Sequence, residues 1–231
     1  MIPIGDAPGY RRRFPVVMLA ILAANVLVFL YEVSLGDRNL QQLFFSAGVV
    51  PLEYTRGREI GPPPPYNVTW LTLITSMFLH GGFLHIASNM LYLFVFGDNV
   101  EDAFGHLGFL VFYGLSGLIA SVTHILFNAN SSIPSVGASG AIAGVLAAYL
   151  VMFPQASIRT LLFLGPFFTV TRVSALFLIG FWFVTQFLAS IASLGATTEQ
   201  TSGVAVWAHV GGFVGGLLLT PFMRPRREAL A

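Results

Sequence analysis

Ser139 lies in the run SVGASGAIAG (Ser135 to Gly144), at the head of the apolar stretch AIAGVLAAYLVMF. A hydroxyl is a weak nucleophile at its own pKa, and an imidazole within hydrogen-bond reach is its usual activator. His209, in AHVGGFVGG, is the best candidate for that base. On a helix, Gly212 and Gly216 share roughly the face of His209, while Gly140 and Gly144 form a small-xxx-small pair beside Ser139. Small residues let two membrane helices approach closely, so these faces are expected to bring imidazole and hydroxyl together. Neither segment carries an aspartate or glutamate. The orienting carboxylate of a Ser-His-Asp triad therefore has no evident source, and a Ser139–His209 dyad is expected.

Acyl transfer also needs preorganised donors for an oxyanion. A helix that starts at Ser139 offers unpaired backbone N–H groups at its positive end. His85 and Asn89, four residues apart and so on one helical face, could add side-chain donors.

The elements that must position these residues follow from composition. The chain is 55% hydrophobic and only 9% charged, with a mean hydropathy of +0.78, which is the balance of an integral membrane protein. It contains no cysteine, which excludes a disulfide framework, a thiolate nucleophile and a Cys-ligated zinc site. A net charge of +1 gives no reason to expect an acidic partner such as nucleic acid.

A bilayer span needs about 20 apolar residues. On that ruler six spans are expected: Phe14 to Leu35, His85 to Ala103, Leu107 to Asn128, Ser139 to Phe153, Arg172 to Leu194 and Val204 to Met223. The fourth is short, and its polar start predicts a helix beginning inside the membrane, which is tolerated only where it is buried in protein or lines a watery cavity. The run LLFLGPFF, Leu161 to Phe168, is broken by Gly165-Pro166 and is read as an interfacial connection. The loop Gly36 to Gly82, with Tyr54, Tyr66, Trp70 and the Pro62 to Pro65 run, is read as a partly embedded, interfacial element. Arg11, Arg12, Arg13, Arg159, Arg172, Arg224, Arg226 and Arg227 all fall on one side of this arrangement, which predicts cytoplasmic termini. No internal repeat is evident, so residues 1–231 are expected to form a single domain.

Three motifs in this order, SMFLHGGFLHIASNMLYLFVFGDNVED, GASG with AIAG, and AHVGGFVGG, resemble the rhomboid intramembrane serine proteases. The resemblance runs from the first span to the sixth. It implies an all-α polytopic fold of six transmembrane helices in the form common in bacteria and archaea, hence a location in a prokaryotic cell (inner) membrane. It implies Ser139 as nucleophile and His209 as general base, with His85, Asn89 and the Ser139 N–H as oxyanion hole; Gly137 of the serine motif belongs to the same oxyanion and substrate-binding side. It further implies a transmembrane helix as substrate, cut near its extracytoplasmic end, without metal or cofactor. Glu101 would have a structural role, and the fifth span with the loop Gly195 to Gly203 would form a lateral gate and cap. Ala143 departs from the pattern, since some family members place an aromatic ring there against the histidine.

Each feature has a plainer competitor. Ser139 could be a helix N-cap, His209 a packing residue hydrogen-bonded across helices, and His85 and Asn89 pins between helices. His80 and His124 are read as structural or interfacial. A metal site on His80, His85 and His209 lacks both HExxH and an intramembrane carboxylate. The aromatic fifth span (Phe177, Phe181, Trp182, Phe183, Phe187) reads as lipid-facing or core. A catalytically silent rhomboid-like protein that binds membrane helices is the alternative function. A transporter is the weakest reading, because the acidic residues lie almost all in loops.

Overall fold

The computed structural model describes residues 1–6, 13–57, 60–63, 68–193 and 205–223. The loop Gly195 to Gly203, Tyr66 and the arginines at 11, 12, 58, 224, 226 and 227 lie outside the described residues.

The helices in chain order are α1 (Val16–Ser34), α2 (Asp37–Ala47), α3 (Pro51–Arg56), α4 (Thr72–Thr75, with 3-10 turns on either side), α5 (Phe83–Phe104), α6 (His106–Phe127), α7 (Ser139–Met152), α8 (Ala175–Ser193) and α9 (Val206–Leu219). Three strands, β1 (Ile2–Gly5), β2 (Ser157–Leu164) and β3 (Phe167–Ser174), form an antiparallel sheet in that order.

Four helical stretches, α1, α6, α8 and Val206–Met223, are long and apolar enough to cross a membrane. A fifth qualifies when Thr69–Phe78 and α5 are taken as one unit bent by 82°. Thr69–Phe78 falls within the loop Gly36 to Gly82, and its bend against α5 has the form of a broken span or a re-entrant loop. At 14 residues α7 is too short to qualify; it rises about 21 Å, against a hydrocarbon core of about 30 Å. Every residue from Gly140 to Tyr149 is buried, so α7 is apolar all round and sits as the axis of the bundle, enclosed by α5, α6 and α9.

The fifth span starts later than expected. Arg172 belongs to β3, and the helix begins at Ala175. The run Leu161 to Phe168 is the turn region of a β-hairpin, with Gly165 at φ 65° in a two-residue connection between strands paired from Ser157↔Ser174 to Leu164↔Phe167. Positive φ is cheap for glycine, which is why the turn falls there. β1 adds to the free edge of β2, with Ile2 opposite Leu161.

The first loop has a definite structural task. Val49 and Ser135 exchange both backbone hydrogen bonds, at 3.0 and 2.8 Å. Leu52 N–H donates to the Ser131 carbonyl at 3.0 Å, and the Thr55 hydroxyl donates to the Ala129 carbonyl at 2.6 Å. The α2–α3 segment thus holds the irregular chain 129–138 that delivers Ser139. At the other end of the bundle, buried Glu101 accepts the N–H groups of Val17 at 2.9 Å and Met18 at 2.6 Å. A first helical turn has no intrahelical acceptors for its N–H groups, so this carboxylate caps α1 from α5.

Candidate active site

α7 begins at Ser139 itself. Its N-cap position is Ala138, and no side chain caps the helix. The Ser139 hydroxyl is not spent on its own helix, which removes the N-cap reading. Instead Ser139 Oγ lies 2.7 Å from His209 Nε2.

Glycines make that approach possible. A Cβ added at Gly212 would run into the Gly140 carbonyl oxygen, and one at Gly216 would fall 2.6 Å from Gly144 Cα. α7 and α9 therefore pack backbone to backbone along the face that carries His209. A Cβ at Gly140 would meet Ala120 of α6 at 2.5 Å and Ala208 of α9 at 3.5 Å, so α7 packs closely against both helices beside Ser139.

Gly137 carries φ 132°, a conformation L side chains rarely adopt. A Cβ there would also stand 2.8 Å from Cε1 and Nε2 of His85. Its N–H donates to the Ser76 carbonyl at 2.8 Å, so Gly137 contributes space at this site and not a donor. His85 Nδ1 accepts the Gly81 N–H at 3.3 Å. That bond puts the ring proton on Nε2, the nitrogen beside Gly137. Asn89 is buried and donates one amide hydrogen to the His85 carbonyl at 2.9 Å. Among the described residues its second amide hydrogen has no partner. His85, Asn89, Ser139 and His209 line one cavity of about 510 Å³, together with Tyr92, Trp182 and other residues.

Two features escaped the sequence reading. His209 Nδ1 lies 2.7 Å from Gln186 Oε1 on α8, so the imidazole is held on both sides. The Trp182 ring, also on α8, lies 5.8 Å from the His209 ring. An aromatic partner for the histidine thus comes from α8, while Ala143 is wholly buried in α7. Trp182 and Gln186 stand one turn apart on α8, among other polar residues of the same helix. Phe177 and Phe181, by contrast, are exposed on the outer face of α8.

His80 and His124 are not among the residues that line the cavity. His80 is buried with its ring edge-on to His85 at 5.1 Å, and its backbone N–H donates to the Glu32 carboxylate at 3.0 Å. His124 Nδ1 lies 3.3 Å from the Asn128 amide. Among the described residues no group of three or more His, Cys, Asp or Glu could hold a metal ion.

A polytopic helical bundle that holds a partly buried Ser-His contact at the wall of an open cavity defines a class of membrane protein with hydrolase-like geometry. Residues 67–226 match the rhomboid domain, and the chain belongs to the rhomboid family. It is accordingly an integral membrane protein. It is similar to Rhomboid protease GluP of Bacillus subtilis (strain 168), with 28% identity over 212 residues covering 91% of this chain and 35% of that protein. Putative rhomboid protease YdcA of the same organism is 29% identical over 162 residues, 70% of this chain and 71% of YdcA. RHOMBOID-like protein 5 of Arabidopsis thaliana is 42% identical over 78 residues, 34% of this chain and 25% of that protein. The chain spans only about a quarter to a third of the length of RHOMBOID-like protein 5 and of GluP.

Proposed function

We propose that this protein is an intramembrane serine endopeptidase that cuts transmembrane helices of substrate proteins near their extracytoplasmic end. The observation that carries the reading is the 2.7 Å contact between Ser139 Oγ and His209 Nε2 at the wall of a cavity. Six spans in a single domain, with α7 as the fourth, and both termini in the cytoplasm of a prokaryotic cell complete the proposed topology.

In this mechanism Nε2 of neutral His209 takes the Ser139 proton as Oγ attacks the scissile carbonyl carbon. The resulting oxyanion is met by the Ser139 N–H, which has no acceptor along its own helix, by His85 Nε2–H and by the free hydrogen of the Asn89 amide. His209 then protonates the leaving amine as the C–N bond breaks. A water entering through the cavity loses its proton to His209 while attacking the acyl-enzyme, and Ser139 leaves as the restored hydroxyl. No metal or cofactor is required by this sequence of steps.

The test is cleavage of a reporter transmembrane protein by the purified chain in detergent, with a fluorophosphonate probe reporting on the serine. Cleavage and labelling are expected from the wild type and from neither Ser139→Ala nor His209→Ala. A folded wild type that cuts several such reporters no faster than Ser139→Ala and takes up no probe would overturn the reading in favour of a silent, helix-binding rhomboid-like protein.

A further inference from the structure

Most polar side chains of α8 look after themselves. The hydroxyls of Thr185, Ser190 and Ser193 donate to the carbonyls of Trp182, Gln186 and Ser190, all within the same helix. Gln186 behaves differently: half-buried, it reaches across to α9, where its Oε1 lies 2.7 Å from His209 Nδ1. An amide in an apolar helix is costly unless it is paired, so its placement opposite an imidazole calls for a reason.

The chemistry of the pair supplies one. A neutral imidazole carries one N–H, and the bond made by one nitrogen decides which nitrogen keeps it. An amide oxygen can only accept, so Oε1 facing Nδ1 fixes the proton on Nδ1. Nε2 is left with its lone pair, aimed at the Ser139 hydroxyl 2.7 Å away. The opposite tautomer would present Nε2–H to Ser139 and could take no proton from it. We propose that Gln186 is a positioning residue that holds His209 in the Nδ1–H tautomer and at the correct ring angle. This rests on the assignment of Ser139 and His209 as nucleophile and base.

The choice of amide over carboxylate also follows from the surroundings. The outer face of α8 is exposed at Leu176, Phe177, Phe181, Val184, Leu188 and Ile191, the surface expected against lipid. A carboxylate on such a helix would carry a heavy desolvation cost whenever the imidazole is uncharged. An amide orients the ring without that cost, and gives up in exchange some stabilisation of the imidazolium formed during catalysis. The bond also ties the base to α8, so α8 must stay within hydrogen-bond reach of α9 for the base to keep its tautomer.

Two variants and one spectrum decide the matter. Gln186→Met keeps the length of the side chain and removes the acceptor. It is expected to lower kcat/KM by about 10–100-fold, by analogy with the loss of partners that orient metal-ligating histidines, through kcat, with KM and Tm near wild type. Gln186→Glu restores an acceptor and is expected to recover activity relative to Gln186→Met. It should also move the acid limb of the pH–rate profile to higher pH, because the carboxylate stabilises the imidazolium. Among the described residues, the other titratable groups near enough to bear on His209 are His85 on α5 and His124 on α6. Both are unchanged in these variants, so a displaced limb reports on position 186. In parallel, nitrogen-15 NMR of labelled histidine is expected to show Nδ1–H at His209 in the wild type and to lose that preference in Gln186→Met.

Wild-type kcat/KM in Gln186→Met would overturn the proposal, as would a Gln186→Glu enzyme as slow as Gln186→Met with an unmoved limb. Should the wild type itself prove inactive and unlabelled, the endopeptidase reading fails. The NMR spectrum then still decides the tautomer, with Nε2–H in the wild type refuting the role given to Gln186.

Discussion

The backbone contact between α7 and α9 offers the sharpest test of how the site is assembled. In Gly216→Ala the new methyl would stand 2.6 Å from Gly144 Cα and 2.6 Å from the Gly144 carbonyl oxygen. Carbon atoms prefer separations of about 3.5–4.0 Å, so the helices must part locally by about 1 Å. The substituted position lies two turns from His209, about 10 Å along α9. If the displacement is transmitted, the 2.7 Å contact of His209 Nε2 with Ser139 Oγ opens to about 3.7 Å, beyond hydrogen-bond range. Misplacement of about 1 Å can cost about 100-fold in rate, while overpacking costs about 1–3 kcal/mol in stability. The expected result is therefore a folded protein with a modestly lowered Tm, about 100-fold slower in reporter cleavage and in fluorophosphonate labelling. Gly180→Ala on α8 is the control, because a Cβ there meets nothing within 4 Å; it should cleave at the wild-type rate. A Gly216→Ala protein that labels as fast as Gly180→Ala would refute the view that this close packing sets the dyad distance.

Further predictions concern the groups around the dyad and the far end of the bundle. Gly137→Ala combines a φ of 132° with a methyl 2.8 Å from the His85 ring; turnover should fall by about 100-fold or more as the ring is pushed aside, read as kcat for the reporter. Glu101→Ala leaves the Val17 and Met18 N–H groups without their acceptor. It should destabilise by about 2–4 kcal/mol, seen as a lowered Tm, while labelling of Ser139 at low temperature persists. Reporter cleavage should fall on the acid side, because protonated His209 has no lone pair for the Ser139 proton; a kcat/KM profile flat down to the pH of unfolding would contradict a histidine base.

Much of this site could be read in the chain because its chemistry is carried by local motifs. Ser139, His209, His85 and Asn89 stood out as polar residues in apolar surroundings, and the glycines spaced four apart beside Ser139 and His209 indicated which faces could meet. Gln186 did not stand out. An amide is not ionisable, and in ALFLIGFWFVTQFLASIAS it reads as one tolerated polar residue among aromatics. Only the rotation of α8 against α9 distinguishes it from Thr185 next to it. The hairpin was missed for a different reason. SIRTLLFL and FFTVTRVS are apolar enough to pass for membrane-adjacent connection, although two equal runs rich in β-branched residues about Gly-Pro are a strand signal. The use of the first loop as a brace for residues 129–138 rests on pairings such as Val49 with Ser135, which no periodicity announces.

The burial of α7 has a consequence for how the protein would respond to its membrane. Spans that face lipid adjust to bilayer thickness by tilting or by deforming the lipid around them. α7 is enclosed by protein from Gly140 to Tyr149 and presents no such surface. The depth of Ser139 is therefore set by its neighbours in the bundle and is insulated from hydrophobic mismatch. A substrate helix has no such insulation. On the proposed function, a thicker or thinner bilayer would slide the substrate along a fixed nucleophile, and lipid composition would act on which peptide bond is presented.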